Sequence, residues 1–342
     1  MSKVRLGIMG FGEIGRHIYR LCMEDDMFEV VAISDYGKPD ILAYLLEAEV
    51  KGRVKVTLED GNFINSAAGR ARIVTGGKPG DIPWDIFDVD VVVDATSIFK
   101  SRRDLEKHLK AGAPHVVLST LPEDEIDRIV VMGVNEHTIN LNDKIVSAGS
   151  ATTNATALML KFFDEKFGVD YAMLTTVHSY TSDQPLRDKA GAEYRRSRSA
   201  AENIIPNETP TPRWIPTILP EFKGKIEGTA LNVPIPNGSL LDLTTIFKTK
   251  DVTVDQVTEL MYEAAKKLPK LIMVAEDPIV SSDVINDRHS VVFDKLATMK
   301  SQGRMIKTLV WYHTALAQAC RILDVIRTYH LLQEKTEKGG VQ

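Results

Sequence analysis

The chain has 342 residues, of which 44% are hydrophobic and 26% charged, and its formal net charge is −5. This length suggests two domains, and this composition is typical of a folded globular protein rather than a disordered one. Its apolar runs fall short of the ~20 residues that a membrane span requires, and its acidic balance gives no general attraction to nucleic acid. We therefore expect a soluble protein that binds neither membranes nor nucleic acid.

The start of the chain and its cysteine content both favour the cytoplasm. The first residues enter a strand-like run at once, without the charged and apolar segments of a secretion signal. Cys22 and Cys320 are the two cysteines, and they lie far apart in the chain and outside any metal-ligand spacing. The sequence therefore predicts neither a disulfide nor a metal site.

The first 150 residues alternate strand-like runs with amphipathic helical segments. The predicted strands are Arg5–Met9, Glu29–Ser34, Val89–Ala95, His115–Ser119, Ile129–Val134 and Ile145–Ser147. The predicted helices are Ile14–Glu24, Ile41–Glu47 and Arg103–Ala111. This alternation favours a parallel sheet with helices on its faces.

A glycine-rich turn joins the first predicted strand to the first predicted helix. Gly10, Gly12 and Gly15 form the pattern G-x-G-x-x-G, which permits a tight turn, close approach of a pyrophosphate and close helix packing. Asp35 ends the second strand, where a carboxylate accepts hydrogen bonds from a ribose diol and repels a 2′-phosphate. The pattern therefore favours NAD over NADP. The predicted cofactor contacts are Gly10, Phe11, Gly12, Glu13, Ile14 and Asp35.

Longer strand-like runs characterise the second half of the chain. The predicted strands are Tyr171–His178, Gly228–Pro234 and Leu240–Lys248. Residues 181–211 are polar and rich in Arg, Asn and Pro, so we expect a long functional surface loop there. A capping box at Thr253 predicts a helix that ends near Lys267. A last helix is predicted over about 316–332, followed by a frayed tail from Glu334.

Ser147–Ala155 resembles the Ser-Cys-Thr-Thr-Asn stretch of the glyceraldehyde-3-phosphate dehydrogenase family. Further similar stretches, which carry the resemblance from about residue 4 to 313, are Asp94–Thr96, Gly133–Asn135, Ala200–Pro206, Val233–Asn237 and Trp311-Tyr312. The resemblance implies an α/β protein with a Rossmann dinucleotide-binding domain at 1–150, which a C-terminal helix at 316–333 rejoins. It also implies an α+β catalytic domain with a mostly antiparallel sheet at 151–315, and assembly into a homotetramer.

The same resemblance implies oxidation of a small aldehyde by NAD through a cysteine thioester, with His178 as the general base. Glyceraldehyde 3-phosphate is the default substrate, and erythrose 4-phosphate or another aldehyde is the alternative. Ala151 occupies the position of the family's nucleophilic cysteine. A thiolate at a helix N-terminus beside a histidine has a lowered pKa and adds to an aldehyde, whereas alanine offers no lone pair. We therefore expect this form of the protein to be inactive.

The resemblance also implies further contacts. For the substrate these are Ser150, Thr152, Thr181, Thr209 and Asn232, and for the cofactor Thr96, Ser119 and Thr314. Asn232 replaces an arginine that clamps phosphate groups, and Pro210 after Thr209 removes a backbone N–H donor. Thr314 replaces an asparagine that holds the nicotinamide carboxamide. These changes weaken the case for a phosphorylated substrate and for a firmly oriented cofactor.

Two explanations fit an alanine at position 151. One is an engineered substitution that traps a complex, and the other is a naturally divergent paralogue. The additional departures at Glu13, Asn232 and Thr314 favour the divergent family member. A non-catalytic NAD-binding paralogue that acts as a sensor or interaction protein is the alternative function. The sequence leaves open whether inorganic phosphate or water completes the reaction.

Overall fold

A computed structural model describes residues 3–50, 52 and 54–339. The chain divides into two compact units. Within the described residues, the first unit comprises the chain up to Val130, Glu136–Gly149 and the chain from Gln318 onward. The second unit comprises Val131–Asn135 and Ser150–Ala317. None of the helices in the described part of the chain combines the length and apolar character that a membrane crossing requires.

The first unit is built on a largely parallel sheet. Its strands are β1 (Val4–Met9), β2 (Phe28–Asp35), β3 (Thr57–Glu59), β4 (Phe63–Ser66), β5 (Gly69–Thr75), β6 (Val91–Asp94), β7 (Val116–Leu118), β8 (Arg128–Ile129) and β9 (Ile145–Ser147). Its first three helices are α1 (Glu13–Cys22), α2 (Pro39–Val50) and α3 (Arg102–Lys110). The strands follow the order β3-β4-β5-β2-β1-β6-β7-β9-β8. Pairing is parallel from β5 to β8 and antiparallel among β3, β4 and β5.

The central strands of this sheet are nearly continuous apolar runs, which is typical of parallel strands covered on both faces. The predicted alternation of strands and helices is confirmed in this region. The predicted strand over Ile129–Val134 is wrong beyond Ile129, because the chain turns there. In that turn the Val131 N–H donates to Asn135 Oδ1 at 2.7 Å, and the Val134 N–H donates to the Val131 carbonyl.

The second unit contains a mixed sheet. Its strands are β10 (Val169–Ser179), β11 (Ile205–Asn207), β12 (Ile226–Val233), β13 (Ser239–Phe247), β14 (Ile272–Ala275), β15 (Val291–Lys300) and β16 (Met305–Tyr312). Its helices are α4 (Ala151–Phe167), α5 (Thr211–Ile218) and α6 (Val254–Lys267). The order is β11-β12-β10-β13-β16-β15-β14, with parallel pairing at β12–β10 and β15–β14 and antiparallel pairing elsewhere. The predicted class of fold is confirmed, and the catalytic sheet is mixed rather than purely antiparallel.

Residue pattern explains several elements of the second unit. Along β13, buried and partly buried positions alternate with the period of two that a strand imposes. The predicted capping box is present at the start of α6, where Thr253 and Gln256 exchange side-chain to backbone hydrogen bonds. That helix ends at Lys267, as predicted.

The last helix, α7 (Thr314–Gly339), is longer than the sequence predicted. The frayed tail that we expected from Glu334 is helical as far as Gly339, and residues 340–342 lie outside the described residues. Side chains four residues apart support the additional turns: His330 lies 3.5 Å from Glu334, and Gln333 donates to Glu337 at 3.1 Å. Good helix formers fill this stretch up to the glycine, so the helix continues.

Candidate active site

The glycine turn of the first unit has the geometry that a dinucleotide requires. Gly10 has φ +90°, and a Cβ there would lie 2.8 Å from the Thr96 nitrogen, so only glycine is accommodated. A Cβ on Gly15 would collide with the Gly10 carbonyl oxygen. At Gly12, by contrast, a Cβ would meet nothing within 4 Å, and this residue caps α1 without a side chain. The space before the helix N-terminus is therefore open to a phosphate, which the N–H groups there would bind.

Asp35 lies at the carboxyl end of β2, next to the glycine turn. Its Oδ2 accepts the Phe11 N–H and its Oδ1 accepts the Gly37 N–H, both at 2.7 Å. Each carboxylate oxygen can accept a further hydrogen bond, since an ionised carboxylate offers about four lone-pair sites. The carboxylate is thus held in place while it remains able to accept from hydroxyl groups.

Glu13 occupies the first turn of α1, at the edge of the same turn. Desolvation by burial, and next the nearby Glu49 carboxylate, raise the pKa of Glu13. The pKa of this carboxyl group therefore lies above that of a glutamate without these neighbours.

Asp94 ends β6 and organises the loop that carries Thr96. Its Oδ1 accepts from the Thr96 N–H at 3.0 Å and from Thr96 Oγ1 at 2.6 Å, and its backbone carbonyl accepts the Ser119 N–H. Its Oδ2 lies 3.2 Å from His108 Nε2. Because Trp84 Nε1 donates to His108 Nδ1 at 3.1 Å, Nε2 carries the proton and donates to Asp94.

The structure thus brings the predicted cofactor residues of the first unit to one edge of the sheet. They lie at or just after the carboxyl ends of β1, β2, β6 and β7, with β2, β1, β6 and β7 adjacent in that order. Ligands of open α/β sheets bind at this edge. The residues are Gly10, Phe11, Gly12, Glu13, Ile14, Asp35, Thr96 and Ser119. His108 and Trp84 were not predicted, since no local motif marks them.

In the second unit, the predicted nucleophile position lies in the first turn of a buried helix. Ser150 is the N-cap of α4, and its Oγ accepts the Thr153 N–H at 3.2 Å. Ala151 is the first helical residue and is 6% exposed. A helix N-terminus carries about half a positive charge and favours an anion such as a thiolate. Position 151 therefore provides the field for a thiolate, but the alanine methyl group supplies no nucleophile.

A buried hydroxyl network holds this helix turn against the sheet. Tyr312 Oη lies 2.8 Å from Thr152 Oγ1 on α4 and 2.8 Å from Thr176 Oγ1 on β10. Thr153 Oγ1 lies 3.1 Å from Thr211 Oγ1, at the start of α5. Burial raises the pKa of Tyr312, so its hydroxyl remains protonated and can donate. Thr176 and the role of Tyr312 as the link were not predicted.

His178 lies near the end of β10 in the form that a general base needs. Its Nδ1 is 2.6 Å from the Ser179 carbonyl oxygen, so Nδ1 carries the proton and Nε2 is left as an acceptor. Desolvation by burial lowers the pKa of His178, and the positive charge of Arg196 lowers it further. The Ser179 carbonyl and the Asp183 carboxylate act in the opposite direction. The net downward shift keeps the imidazole neutral at pH 7.

The strand next to His178 carries a neutral amide. His178 on β10 pairs directly with Asn232 on β12, and paired residues of neighbouring strands project from the same face about 5 Å apart. Asn232 is 5% exposed, and its Oδ1 accepts from Asn207 Nδ2 at 3.1 Å. The predicted substrate residue Asn232 therefore lies beside the predicted base.

Arg196, whose positive charge acts on His178, is already paired with an acid. Thr181 Oγ1 donates to Asp183, and Asp183 forms an ion pair with Arg196. Thr209, another predicted substrate residue, accepts the Thr211 N–H at 3.4 Å and so lies at the entrance to α5. Much of the charge of Arg196 is thus cancelled by its partner.

Thr314 also belongs to the second unit, unlike the other predicted cofactor residues. Its Oγ1 lies 2.8 Å from Ser239 Oγ, which also accepts the Ser179 N–H at 3.1 Å. This chain of hydroxyl groups connects the start of α7 to the residue that follows His178. The Thr314 side chain is shorter than that of asparagine, and its hydroxyl group is hydrogen-bonded to Ser239.

Comparison with known proteins agrees with both halves of this description. Residues 4–102 match the family described as glyceraldehyde 3-phosphate dehydrogenase, NAD binding domain, and residues 150–314 match its C-terminal domain. The chain is 39% identical over 327 residues to glyceraldehyde-3-phosphate dehydrogenase of Priestia megaterium, covering 94% of this chain and 97% of that protein. It is 38% identical over 326 residues to glyceraldehyde-3-phosphate dehydrogenase 1 of Bacillus subtilis, with the same coverage of both.

Identity at this level over nearly the whole of both proteins establishes common descent and a shared fold. The NAD-binding description covers the glycine turn and Asp35, so NAD is the cofactor of the first unit, as predicted. The chain therefore belongs to the glyceraldehyde-3-phosphate dehydrogenase family and is of the NAD-dependent dehydrogenase type.

Proposed function

We propose that the second unit is built to oxidise a small aldehyde through a thioester on a cysteine at position 151, and that Ala151 blocks this reaction in the present chain. The observation that carries the proposal is a base-form His178 in the unit that also holds the N-terminus of α4 at position 151. The experiment that tests it is Ala151→Cys, followed by assay of NADH formation from several aldehydes with and without inorganic phosphate.

Position 151, His178 and the N-terminus of α4 have separate roles in the proposed reaction. With cysteine at 151, His178 Nε2 takes the thiol proton, and the N-terminus of α4 stabilises the thiolate. The sulfur forms a bond to the aldehyde carbon while the carbonyl π electrons move to oxygen, and the histidine returns a proton to that oxygen. NAD, held by the glycine turn and Asp35, would supply the acceptor for the hydride of this carbon, and His178 would remove the hydroxyl proton as the thioester forms. Phosphate or water then breaks the carbon–sulfur bond.

The predicted contacts remain part of this proposal. We assign the cofactor to the glycine turn, Asp35, Thr96, Ser119 and Thr314, and the substrate to Ser150, Thr152, Thr181, Thr209 and Asn232. The glycine turn, Asp35, Thr96 and Ser119 share one sheet edge, while the substrate residues surround the start of α4 and the end of β10. By family likeness, we further propose a cytoplasmic homotetramer, with residues 1–150 and the C-terminal helix as its cofactor domain and 151–315 as its catalytic domain.

The substrate we favour is an aldehyde whose other end, away from the reacting carbonyl group, is polar but uncharged. Asn232 lies beside His178 and presents an amide, and the nearby Arg196 is neutralised by Asp183. Without an unpaired cation at these positions, a phosphate would lose its hydration without an adequate partner. Glyceraldehyde 3-phosphate, the substrate in the names of the relatives, is therefore expected to be a poor substrate even with the nucleophile restored.

Asn232→Arg, introduced together with Ala151→Cys, is expected to shift the preference towards phosphorylated aldehydes by about 10- to 100-fold, since charge-assisted hydrogen bonds contribute about 1.5–3 kcal/mol. The measurement is the ratio of kcat/KM for glyceraldehyde 3-phosphate to that for glyceraldehyde. Asn232→Gln, which keeps the neutral amide, is the matched control and should leave the ratio nearly unchanged. An unchanged ratio in the arginine variant would refute the assignment of Asn232 to the substrate.

Asp35→Ala is expected to weaken NAD binding by about 10- to 100-fold, because the variant loses the acceptor for the ribose and frees the Phe11 and Gly37 N–H groups. NADP should be affected less, since its 2′-phosphate no longer meets a carboxylate. Titration calorimetry with both dinucleotides measures the change. Asp40→Ala removes an exposed carboxylate from α2 and is the control. If NAD affinity and the NAD to NADP ratio both stay constant, Asp35 does not contact the ribose.

Ala151 itself favours a second candidate, a non-catalytic NAD-binding protein that serves as a sensor or interaction partner. The glycine turn keeps the geometry for a dinucleotide, whereas position 151 has lost its reactive group. For this candidate, the unaltered chain should bind NAD and form no NADH from any aldehyde, and Ala151→Cys should leave it inactive.

A further inference from the structure

A cavity lies in the first unit, at the opposite edge of the sheet from the glycine turn. It has a volume of about 380 Å³, within the range of small-molecule sites. Its apolar wall comes from the amino-terminal parts of β1, β6 and β7 together with β9, and α7 closes the other side. The wall residues are Val4, Val91, Val116, Val146, Leu141 and Ile326.

One face of α7 is directed at this cavity. Counted from the first of them, the lining positions fall at i, i+3, i+4, i+7, i+8 and i+11, which is the spacing of a single helix face. They are Ile326, Tyr329, His330, Gln333, Glu334 and Glu337. An apolar residue at the inner end of the stripe gives way to polar and acidic residues towards the helix end.

A buried ion pair fixes the frame of the cavity. Asp143 is 7% exposed and accepts two hydrogen bonds from Arg128, at 2.5 and 3.2 Å. Tyr329 Oη on α7 donates to the same carboxylate at 2.8 Å. The pKa of Tyr329 is raised far above its ordinary value, first by burial and then by Asp143, so the phenol remains a donor. The Asp143 carboxylate is therefore already paired with Arg128 and Tyr329 within the protein.

Lys144 places a positive charge on the rim of the cavity, next to Asp143 in the chain. Its Nζ lies 3.3 Å from His115 Nε2, and no carboxylate of the described residues lies within ion-pair distance of it. Burial, and next the charge of Lys144, lower the pKa of His115, so the imidazole is neutral and accepts from the ammonium group. The cation at this end of the cavity is thus available to an anionic group of a ligand.

The other end of the cavity is acidic. Glu334 and Glu337 follow Tyr329 on α7 by five and eight positions, which places them about 7 to 12 Å further along the helix axis. Glu337 accepts from the neutral Gln333 amide at 3.1 Å. The remaining acid of the lining, Asp90, accepts the Arg5 N–H at 2.7 Å. Asp90 lies beside His115 at the Lys144 end, where Arg5 holds it, while Glu334 and Glu337 extend along α7 away from the Tyr329–Asp143 contact.

We propose that this cavity binds a small amphipathic zwitterion, with its carboxylate at Lys144 and its amino group at the Glu334 and Glu337 end of α7. The apolar wall takes up the chain between the two charges. Burying that chain strengthens binding with each added methylene, while each charge selects the direction of binding. Because the cavity and the glycine turn lie at opposite edges of the same sheet, the ligand and NAD bind independently.

Three probes of equal chain length test the proposal on the full chain: ω-aminooctanoate, octanoate and octylamine. Titration calorimetry should show the zwitterion binding about three- to tenfold more tightly than either singly charged probe, as expected for partly exposed ion pairs. Lys144→Gln should abolish the advantage of the zwitterion over octylamine. The double variant Glu334→Gln and Glu337→Gln should abolish its advantage over octanoate.

Lys110→Gln, an exposed lysine at the end of α3, is the matched control and should leave all three affinities unchanged. Saturating NAD should leave them unchanged as well. The proposal is overturned if the three probes bind equally, if the zwitterion shows no binding, if Lys144→Gln has no effect, or if NAD displaces the zwitterion. All four substituted residues lie on the surface or at the cavity rim, and circular dichroism of each variant establishes that it is folded.

Discussion

Replacing Ala151 with cysteine is expected to raise the rate of NADH formation from a suitable aldehyde by at least about 10⁴-fold, since loss of a catalytic nucleophile costs up to about 10⁶-fold in other enzymes. The structural reason is that the helix turn at position 151 and the proposed base are both formed. Ser150 caps α4, the Tyr312 hydroxyl anchors the first helix turn, and His178 holds an unprotonated Nε2. The measurement is NADH formation from phosphorylated and unphosphorylated aldehydes, with and without inorganic phosphate.

Two further substitutions test whether activity requires sulfur rather than oxygen, and whether it requires the sulfur at position 151. Ala151→Ser offers a hydroxyl group whose pKa is far too high for it to act as the thiolate does, so this variant should remain inactive. Ala155→Cys places a thiol one helix turn further into α4, where it is fully buried, and should also remain inactive. If Ala151→Cys retains the fold and binds NAD but oxidises no aldehyde, the thioester proposal is wrong and the non-catalytic function is favoured.

The fold was predictable where local pattern and packing agree. The glycine turn, the apolar strands β1 and β2 and the capping box at Thr253 each carry their signal within a few residues, and each is found in the structure. The strands β3, β4 and β5 were not predicted. β3 and β4 have three and four residues and no apolar period, and in β5 only Ala71 and Ile73 alternate as buried positions between two arginines and a glycine, so the signal in the sequence is weak.

The site was predictable only in part, and for a related reason. Ser150 and His178 belong to continuous motifs, so sequence sufficed to name them. The partner of Thr152, Tyr312, lies 160 residues away, and Thr176 lies 136 residues from the same tyrosine. Such pairs depend on strand register and helix packing, which no local pattern specifies.

The relation between His178 and Asn232 illustrates the same limit. Each residue can be found by motif, but only the parallel register of β10 and β12 shows that the two lie side by side. That juxtaposition links two departures from the family pattern. In the proposed function, the missing nucleophile at position 151 and the neutral amide beside His178 would both affect the substrate, while the glycine turn and Asp35 keep the geometry of a dinucleotide site.

His178→Asn, introduced together with Ala151→Cys, is expected to lower kcat/KM by about 10²- to 10⁴-fold, the usual contribution of a general base. Asparagine can still donate to the Ser179 carbonyl from its amide nitrogen, so the strand end should keep its geometry. What the variant loses is Nε2, the atom that takes the thiol proton. The measurement is steady-state kinetics with the best aldehyde substrate of the cysteine form.

The pH dependence of thiol alkylation provides a readout that does not require turnover. In the Ala151→Cys form, the positive end of α4 and the imidazolium that results from proton transfer both stabilise the thiolate, so the pKa of the thiol should fall below its ordinary value of about 8.5. Iodoacetamide should then react rapidly at neutral pH. With His178→Asn the inflection should move to higher pH, because only the helix N-terminus remains. Coinciding profiles for the two forms would mean that His178 does not exchange a proton with position 151, and its assignment as the base would fail.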